Sequence, residues 1–388
     1  MPQRVAIVGI GQTHHRSRRP EVNQYEMINE AVRAALADAE LGIKDIDAVL
    51  VGNMETFEGH YLADLMAVGG SGGYLKPGLK LNTGGTVGGA MVCAGWYHVA
   101  SGLFDTVLVV AWQKLEEGHT TSGIISAMDP LYDRVFYTGA ISHQAMIGQQ
   151  YMNATGCPEE HAALVRVKAA ENARRNPYAH VRTQVSVEDV LNSRIVVYPI
   201  RLLEMCPVSS GACALVLASE DRARTITNKP VWIRDHVTTH LESFKLAGEP
   251  DPMPPTASQT AAAVKLYKRN GITNPRRDID VFELYDPSSW AELAWMEDFL
   301  LCERGEAWKL VERGVSKLDG EFPINPSGGV VSTNTIGATA MIRVAEAAIQ
   351  IRGDGGDRQV ARPVRRAVAT AYGGSNWTIM FLLSKHTD

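Results

Sequence analysis

Apolar runs and amphipathic stretches alternate along the chain, and the same order occurs twice. In the first half, a β-branched run at 4–13 precedes residues 30–52, which read as helix, Gly-Ile turn and strand. In the second half, residues 230–239 and 261–286 repeat that order, including the Asp-Ile-Asp that leads into the strand. An apolar period near 3.6 predicts a helix and a short β-branched run predicts a strand. The pattern therefore predicts a duplicated β-α-β unit.

Each half also contains a glycine-led helix followed by a buried strand. We expect these helices at 88–101 and 337–350, and the strands at 106–112 and 366–372. Continuous Val, Leu and Ala runs are typical of strands buried on both faces, and residues 212–219 predict another. The sequence therefore predicts an α/β protein in which helices cover the sheets of two similar halves.

The segment between these halves is richer in Tyr, His, Arg and Met than the rest of the chain. It covers about residues 113–201, with predicted helices at 140–152 and 159–172, and we interpret it as an inserted cap. The chain then divides into an N-terminal half at 1–225, which contains the cap, and a C-terminal half at 226–388.

Composition excludes several classes of protein. The 388 residues are 45% apolar and 21% charged, and 38 Lys plus Arg against 43 Asp plus Glu give a formal charge of −5. We therefore expect a globular protein and no nucleic-acid partner. Five widely spaced cysteines, without a C-x-x-C pair, predict neither disulfides nor a bound metal. The first apolar run, about seven residues, is too short for a leader or a membrane span, which predicts a cytoplasmic protein.

Gly-rich turns precede both glycine-led helices, in LNTGGTVGGAMVCAGW at 81–96 and INPSGGVVSTNTIGAT at 324–339. A helix that begins after such a turn presents backbone N–H groups and the positive end of its dipole, which suit a nucleophile or a developing oxyanion. The alternative is that these glycines only permit tight turns. Neither string ends in the Lys-Ser/Thr of a phosphate loop.

The duplicated unit, the cap and the strings MCPVSSGACALVLASEDRA, NPSGG…IGAT and AYGGSNWTIMFLL together resemble the thiolase superfamily. The likeness covers essentially the whole chain and is nearest the sterol carrier protein-type and archaeal thiolase branch. It implies a thiolase fold, with two β-α-β-rich halves in a five-layered α-β-α-β-α arrangement. It also implies a CoA thioester as the substrate, no cofactor bound by this chain, and a homodimer.

The chain departs from that family at three positions. Thr86 stands where thiolases have the nucleophilic Cys, and Cys93, seven residues further on, reads as a small buried residue. Asn334 or Thr335 replaces the His that activates the nucleophile, and residues 370–374, TAYGG, lack the proton-transferring Cys or His. Because thiolysis needs a thiolate and a second base, these departures argue against the ordinary thiolase reaction.

The same departures resemble the thiolase-like aldolases of steroid side-chain degradation, which cleave a β-hydroxyacyl-CoA by a retro-aldol reaction. The string Leu-Tyr-Asp at 284–286 carries this likeness. One tyrosine of that branch's proposed catalytic pair falls on Tyr285, and the second falls at about Thr335, which is not Tyr. The resemblance implies a role in lipid metabolism and a small zinc-ribbon/OB-fold partner subunit that gives a heterotetramer.

A retro-aldol step needs a base at the β-hydroxyl and fixed donors for the charge that develops on the thioester oxygen. We expect Tyr285 to be the base, assisted by Asp286, Tyr372 or His143. The candidate catalytic residues are Tyr285, His143, Asn334 and Tyr372, and the candidate substrate-binding residues are Thr86, Asp286, Ser332, Thr335, Gly373 and Gly374.

Alternatives remain for several of these residues. His143 on the predicted cap helix can be a histidine that bonds only to backbone, and Asp286 can be a turn or helix-cap residue. Cys206 can be a substitute nucleophile, although its place before Pro207 favours a structural role. Apolar cap residues such as Met146 suit a bulky acyl group but can equally be packing.

Three functions are therefore compatible with the sequence. The first is retro-aldol cleavage of a bulky β-hydroxyacyl-CoA, which releases a short acyl-CoA. The second is thiolysis of a bulky β-ketoacyl-CoA, for example in aromatic compound degradation, with an unrecognised nucleophile. The third is a non-catalytic acyl-CoA-binding subunit, because such a protein can lose the nucleophile of its family.

Overall fold

The computed structural model describes residues 3–131, 134–135, 139–240, 257–373 and 377–387. The strands are β1 (Val5–Gln12), β2 (Ala48–Gly52), β3 (Gly78–Leu81), β4 (Thr106–Gln113), β5 (Ile195–Val197), β6 (Ile200–Arg201), β7 (Gly211–Ser219), β8 (Val231–Thr239), β9 (Val281–Glu283), β10 (Arg366–Gly373) and β11 (Trp377–Ser384). The helices are α1 (Gln24–Asp38), α2 (Glu55–Glu58), α3 (Asp64–Ser71), α4 (Val87–Ala100), α5 (Thr120–Ser126), α6 (Ala140–Thr155), α7 (Glu159–Arg175), α8 (Val187–Asn192), α9 (Glu220–Ile226), α10 (Ser258–Asn270), α11 (Pro275–Asp278), α12 (Ser289–Asp298), α13 (Ala307–Glu312) and α14 (Thr339–Arg352).

Nine strands within the described ranges form one hydrogen-bonded series in the order β3-β2-β4-β7-β1-β8-β11-β10-β9. The two halves of the chain meet at a short antiparallel contact, where Ala6 pairs with Trp232 and Ile7 pairs with Val231. The pairs β2–β4 and β9–β10 are parallel, and a parallel pair needs a crossover connection. The glycine-led helices α4 and α14 lie in these two crossovers, one in each half.

Helix α1 shows how the sequence dictates a covering helix. Asn23 caps it, because its side chain accepts a hydrogen bond from the N–H of Glu26 at 2.8 Å and the Glu26 carboxylate accepts from the Asn23 N–H. Met27, Ala31 and Ala35 are among its buried residues and recur at the helical spacing. This apolar face packs on β1, β7 and β4, so α1 covers the outer face of the first half-sheet.

Three clusters of buried apolar side chains separate the layers. One lies between the two half-sheets and includes Met91 of α4 and Val344 of α14. The second lies between α1 and the first half-sheet, and the third lies between the second half-sheet and helices α10 and α12. The layers therefore run helix, sheet, helix, sheet, helix, and the predicted five-layered α/β arrangement is confirmed.

The cap occupies the chain between β4 and β7 and contains α5–α8 with the small β5–β6 pair. The predicted cap helices are confirmed as α6 and α7. Helix α14 begins two residues later than predicted, because Gly337 lies in the preceding turn. A Cβ on Gly337 would lie 2.5 Å from the carbonyl oxygen of Trp112, so this turn packs directly on the end of β4. Within the described residues, no helix has both the length and the apolar character that crossing a bilayer requires.

Candidate functional site

The turn before α4 is in direct contact with the end of β10. A Cβ on Gly85 would lie 2.9 Å from the carbonyl oxygen of Tyr372, 3.1 Å from Gly373 Cα and 3.6 Å from the hydroxyl of Tyr285. Because Cβ atoms essentially never approach backbone within 3.0 Å, only glycine permits this contact. The structure thus brings Tyr285, Tyr372 and Gly373 to the start of the first glycine-led helix.

The two glycine-led helices also touch each other. A Cβ on Gly88, in the first turn of α4, would lie 2.7 Å from the backbone nitrogen of Met341 and 3.0 Å from the carbonyl oxygen of Gly337. The start of α4, the start of α14 and the end of β10 therefore converge at one place. Each half of the chain supplies one of the two helices.

Thr86 is fully buried immediately before α4, and its hydroxyl donates to the carbonyl oxygen of Thr83 at 2.7 Å. Cys93 lies two helical turns further on, with its Sγ 3.6 Å from His236 Nδ1. Burial raises the pKa of this thiol to about 12, so it is protonated at neutral pH. The thiol–imidazole pair lies inside the core and not at the start of the helix.

Each polar atom of Asn334, in the backbone and in the side chain, has a hydrogen-bond partner. Its N–H donates to Ser209 Oγ at 3.1 Å, and its carbonyl oxygen accepts from the Ser209 N–H at 3.0 Å. Its amide oxygen accepts from Thr339 Oγ1 at 2.9 Å and from the Ile336 N–H at 3.1 Å. Its amide nitrogen donates to Cys206 Sγ at 3.1 Å. Asn334 is therefore a fixed amide at the start of the second glycine-led helix.

Cys206 is the cysteine that the structure brings next to Asn334, and the residue as a whole is half-buried. Its described hydrogen-bond partner is the Asn334 amide and not an imidazole. Desolvation raises the pKa of the thiol to about 12, and the nearby carboxyl of Asp286 acts in the same direction. At neutral pH the thiol is therefore a neutral group, unlike an activated nucleophile.

Tyr285 is 5% exposed, and its position follows from two contacts. Its N–H donates to Thr370 Oγ1 at 2.9 Å, and its hydroxyl lies 3.6 Å from where a Cβ on Gly85 would be. Burial raises the pKa of Tyr285 well above its ordinary value, and Cys206 adds to the effect. Tyr285 is therefore protonated at neutral pH, which suits a hydrogen-bond donor and argues against our expectation that it is the base.

Asp286 lies next to Tyr285 in the chain and is fully buried. Its Oδ1 accepts from the Val330 N–H at 2.7 Å, and its Oδ2 has no hydrogen-bond partner among the described residues. Burial and the neighbouring Glu292 raise the pKa of Asp286 well above its ordinary value. Ser288, and not Asp286, caps the following helix α12. Asp286 is therefore a buried carboxyl group next to Tyr285 and bonded to the backbone at Val330.

The cap reaches the site through α6. His143 Nε2 lies 3.2 Å from the Tyr372 hydroxyl, so this histidine contacts a side chain of the second half-sheet. The Tyr372 ring packs against Trp295, with their centroids 4.5 Å apart. The His143–Tyr372 pair joins an imidazole and a phenol at the edge of the site, and an imidazole can exchange a proton near neutral pH.

The remaining predicted site residues are placed differently. The Ser332 hydroxyl accepts from Arg166 at 3.2 Å and lies 3.5 Å from the carbonyl oxygen of Ala169, so it faces the cap helix α7. Thr335 is fully buried, and its hydroxyl has no hydrogen-bond partner in the described part of the chain. Gly374 lies outside the described residues. No group of three or more His, Cys, Asp or Glu side chains in those ranges is arranged to hold a metal ion.

Sequence reasoning missed Thr339 and Ser209, which hold Asn334 in place. Both residues lie inside the strings that resemble the thiolase superfamily, Thr339 in IGAT and Ser209 in PVSSGA. Their place in these strings is a sequence signal for both residues, but it does not show which residue each hydroxyl contacts. The contact between Ser209 and Asn334 spans 125 positions of the chain.

Comparisons with known proteins identify the family and the fold. A family model described as "Thiolase C-terminal domain-like" matches residues 239–384. The "Acetyl-CoA acetyltransferase" of Methanothermobacter thermautotrophicus is 32% identical over 92% of this chain and 93% of its own length. The "Benzoylsuccinyl-CoA thiolase subunit BbsB" of Thauera aromatica is 28% identical over 96% of each chain. A solved structure, the "Ltp2-ChsH2(DUF35) aldolase", aligns with a TM-score of 0.84 and 26% identity over 99% of this chain and 98% of that one.

Fold and site define a thiolase-fold protein related to enzymes that act on acyl-CoA thioesters. The chain belongs to the thiolase superfamily, in the branch that includes sterol carrier protein 2. The resemblance inferred from the sequence motifs is therefore confirmed.

Proposed function

We propose that the chain is a carbon–carbon lyase that cleaves a bulky β-hydroxyacyl-CoA by a retro-aldol reaction and releases a short acyl-CoA. The observation that carries this proposal is the start of α4. There, Thr86 is a buried threonine whose hydroxyl donates to Thr83, at the position where the resemblance to thiolases leads us to expect an acylated cysteine. The likeness to the Ltp2-ChsH2(DUF35) aldolase supports the same reaction class.

The reaction requires no acyl-enzyme. A base removes the proton of the β-hydroxyl, the Cα–Cβ bond breaks, and its electron pair passes to the thioester as an enolate. The β-carbon leaves as a carbonyl compound, and protonation of Cα gives the short acyl-CoA. Charge therefore develops on the thioester oxygen, where fixed donors lower the barrier.

In this proposal, one pair of residues donates hydrogen bonds to the thioester oxygen, and another pair removes the proton of the β-hydroxyl. Tyr285 and Asn334 are the donors to the thioester oxygen, because the phenol is protonated and the amide is fixed. The His143–Tyr372 pair is the base, because it contains an imidazole within 3.2 Å of the phenol. Gly373 supplies a backbone N–H group, and Thr86, Asp286 and Thr335 shape the walls near the substrate.

The proposed assembly is a homodimer that binds a small zinc-ribbon/OB-fold subunit, giving a heterotetramer in the cytoplasm. The support for a second subunit is that the aldolase with the similar fold is a complex with ChsH2(DUF35). The proposed substrate is of the steroid side-chain type, with the apolar cap next to its bulky acyl group. The division into halves at 1–225 and 226–388 is part of the same proposal.

A CoA-free cleavage assay tests the function. The probe is 3-hydroxy-3-phenylpropanoyl-CoA, whose retro-aldol cleavage gives benzaldehyde and acetyl-CoA, and both products are followed by chromatography. We expect cleavage by the purified chain with its small subunit in the absence of free CoA. A strict requirement for free CoA would contradict the proposal.

Thiolysis is the second candidate, and the observation that favours it is the position of the Cys206 sulfur, 3.1 Å from the Asn334 amide nitrogen. The likeness to acetyl-CoA acetyltransferase and to a benzoylsuccinyl-CoA thiolase subunit points the same way. Intact-protein mass spectrometry after a single turnover with a β-ketoacyl-CoA separates the two functions. An acyl adduct on Cys206 would establish thiolysis, whereas an unmodified chain agrees with the lyase.

A non-catalytic acyl-CoA-binding subunit is the third interpretation. Under it, Tyr285→Phe and His143→Ala leave the turnover of the assembled complex unchanged. Under the lyase proposal both variants lower kcat, so the same two proteins distinguish the two interpretations.

A further inference from the structure

Trp377 is the first residue of β11 and lies beside the end of β10, where it pairs directly with Gly373. A Cβ on Gly373 would lie 2.6 Å from Gly85 Cα, so this end of β10 is in contact with the turn before α4. The Trp377 residue is half-buried. It therefore lies at the edge of the place where the start of α4 meets the end of β10.

The indole of Trp377 lies on the face of β11 that carries α4. Residues two apart on a strand share one face of the sheet, so Trp377 and Ile379 point the same way. A Cβ on Gly89, in the first turn of α4, would lie 3.4 Å from Ile379 Cδ1. Both side chains also pack against the apolar cluster between the two half-sheets. Trp377 is therefore next to the start of the first glycine-led helix.

Two contacts fix the plane of the indole. Its Nε1–H donates to Thr238 Oγ1 at 2.5 Å. The His240 ring stacks on it, with the ring centroids 4.8 Å apart and 28° between the planes. Thr238 and His240 are both exposed. The Trp377–His240 pair is therefore a fixed aromatic surface that adjoins the core on one side and solvent on the other.

The position of this pair decides which part of an acyl-CoA it can contact. In the proposed function the thioester oxygen lies at Gly373, which pairs directly with Trp377. The β-carbon of the acyl group is two bonds from the thioester carbon, whereas the whole pantetheine arm separates the adenine of CoA from it. Aromatic side chains offer a large apolar surface and favour offset-stacked or edge-to-face contacts with other rings. A ring carried by the β-carbon is therefore the part of the substrate that suits this pair.

We propose that the Trp377–His240 pair binds the ring attached to the β-carbon of the acyl group, and so selects ring-bearing β-hydroxyacyl-CoA thioesters over short alkyl ones. The inference rests on the proposed function, which places the thioester at Gly373. It adds the residues that recognise the acyl group, on the side of Gly373 where α4 begins.

The kinetic test compares two probes, 3-hydroxy-3-phenylpropanoyl-CoA and 3-hydroxybutanoyl-CoA, which has a methyl group in place of the phenyl ring. Trp377→Leu removes the aromatic ring and keeps an apolar side chain, whereas Trp377→Phe keeps a ring. For the Leu variant we expect kcat/KM to fall about 3- to 10-fold with the phenyl probe and less than about twofold with the methyl probe. We expect the Phe variant to recover most of the preference for the phenyl probe.

Trp308→Leu is the matched control. Trp308 is another half-buried tryptophan whose ring meets a histidine, with its centroid 4.7 Å from that of His161, but it lies on α13 in the outer layer. We expect this variant to keep the wild-type ratio of the two kcat/KM values. Trp377→Leu with that same ratio in an active enzyme would overturn the proposal.

A binding measurement tests the inference without any turnover. The ligands are 3-phenylpropanoyl-CoA and butanoyl-CoA, which lack the β-hydroxyl and cannot undergo retro-aldol cleavage. By isothermal titration calorimetry we expect the wild-type protein and Trp308→Leu to bind the phenyl ligand more tightly, and Trp377→Leu to lose most of this difference. A wild-type protein without the preference, or a Trp377→Leu protein that keeps it, would contradict the assignment. If the preference depends on Trp377 but the wild-type protein does not cleave the probes, the proposed function fails and the ring-binding pair stands.

Discussion

The two glycine-led helices occupy equivalent places in the two halves of the chain, but their first residues have different roles. At the start of α4, the Thr86 hydroxyl bonds within its own turn, and the glycines allow close backbone contacts. Just before α14, the Asn334 side chain accepts a hydrogen bond from Thr339, the first residue of the helix, and donates one to Cys206. The comparison teaches that the turn before α4 supplies space and backbone, whereas the turn before α14 supplies a polar side chain, Asn334, that is fixed by hydrogen bonds.

The largest expected effect lies in the second half. Asn334→Ala removes the fixed amide, and we expect kcat to fall by about 10²- to 10³-fold, as for loss of one oxyanion donor. Steady-state kinetics with the β-hydroxyacyl-CoA probe measures this effect. A kcat within about threefold of wild type would show that the Asn334 amide does not take part in the reaction.

A backbone effect is expected in the first half. Gly85→Ala places a Cβ within 2.9 Å of the Tyr372 carbonyl oxygen, so we expect a loss of about 1–3 kcal/mol in the free energy of unfolding. Urea denaturation measures the loss. Gly42→Ala is the control, because the nearest atom to its Cβ would lie 3.5 Å away. Equal stabilities of the two variants would contradict the close approach of α4 and β10.

The rate at which Cys206 is alkylated distinguishes an inert thiol from an activated one. Its pKa is raised to about 12, above the ordinary value of about 8.5, so the thiolate forms only as the pH rises toward 12. We expect iodoacetamide to label Cys206 slowly at pH 8 in the folded protein and quickly in urea. Peptide mass spectrometry locates the label, and Cys206→Ser is the control. Rapid labelling of the folded protein at pH 8 would favour thiolysis.

The smallest effect is expected for Thr86→Val. This change removes the hydrogen bond to the Thr83 carbonyl oxygen, worth about 1 kcal/mol of stability, and we expect kcat to stay within about threefold. Thermal unfolding and the same kinetic assay measure the two quantities. A loss of kcat as large as that of Asn334→Ala would place the Thr86 hydroxyl on the substrate and remove the contrast between the helices.

Much of the fold can be predicted from the sequence. The spacing of apolar residues and the positions of glycines mark helices and turns through contacts between residues that are close in the chain. The crossover helices α4 and α14 and the cap helices α6 and α7 lie within two or three residues of their predicted bounds. The start of α14 differs because Gly337 serves a contact with Trp112, a residue of the other half. The domain boundary and the homodimer stay predictions.

The site was less predictable, since its chemistry depends on burial and on distant partners. Tyr285 was identified from the sequence, but its raised pKa comes from surroundings that the string Leu-Tyr-Asp does not reveal. Ser332 and Asn334 are two residues apart, yet one faces Arg166 of the cap and the other faces Cys206. The direction of each side chain follows from how the residues before α14 pack against α7 and against the residues around Cys206, and not from local sequence.

The contact between Gly88 and α14 has a consequence for how a large molecule enters. With 2.7 Å between a Cβ at this position and the Met341 nitrogen, the central helices have no room for even one methyl group. The halves cannot slide apart there without losing the buried cluster around Met91 and Val344. If the chain acts on a bulky acyl-CoA as proposed, the acyl group therefore reaches the site without separation of α4 from α14.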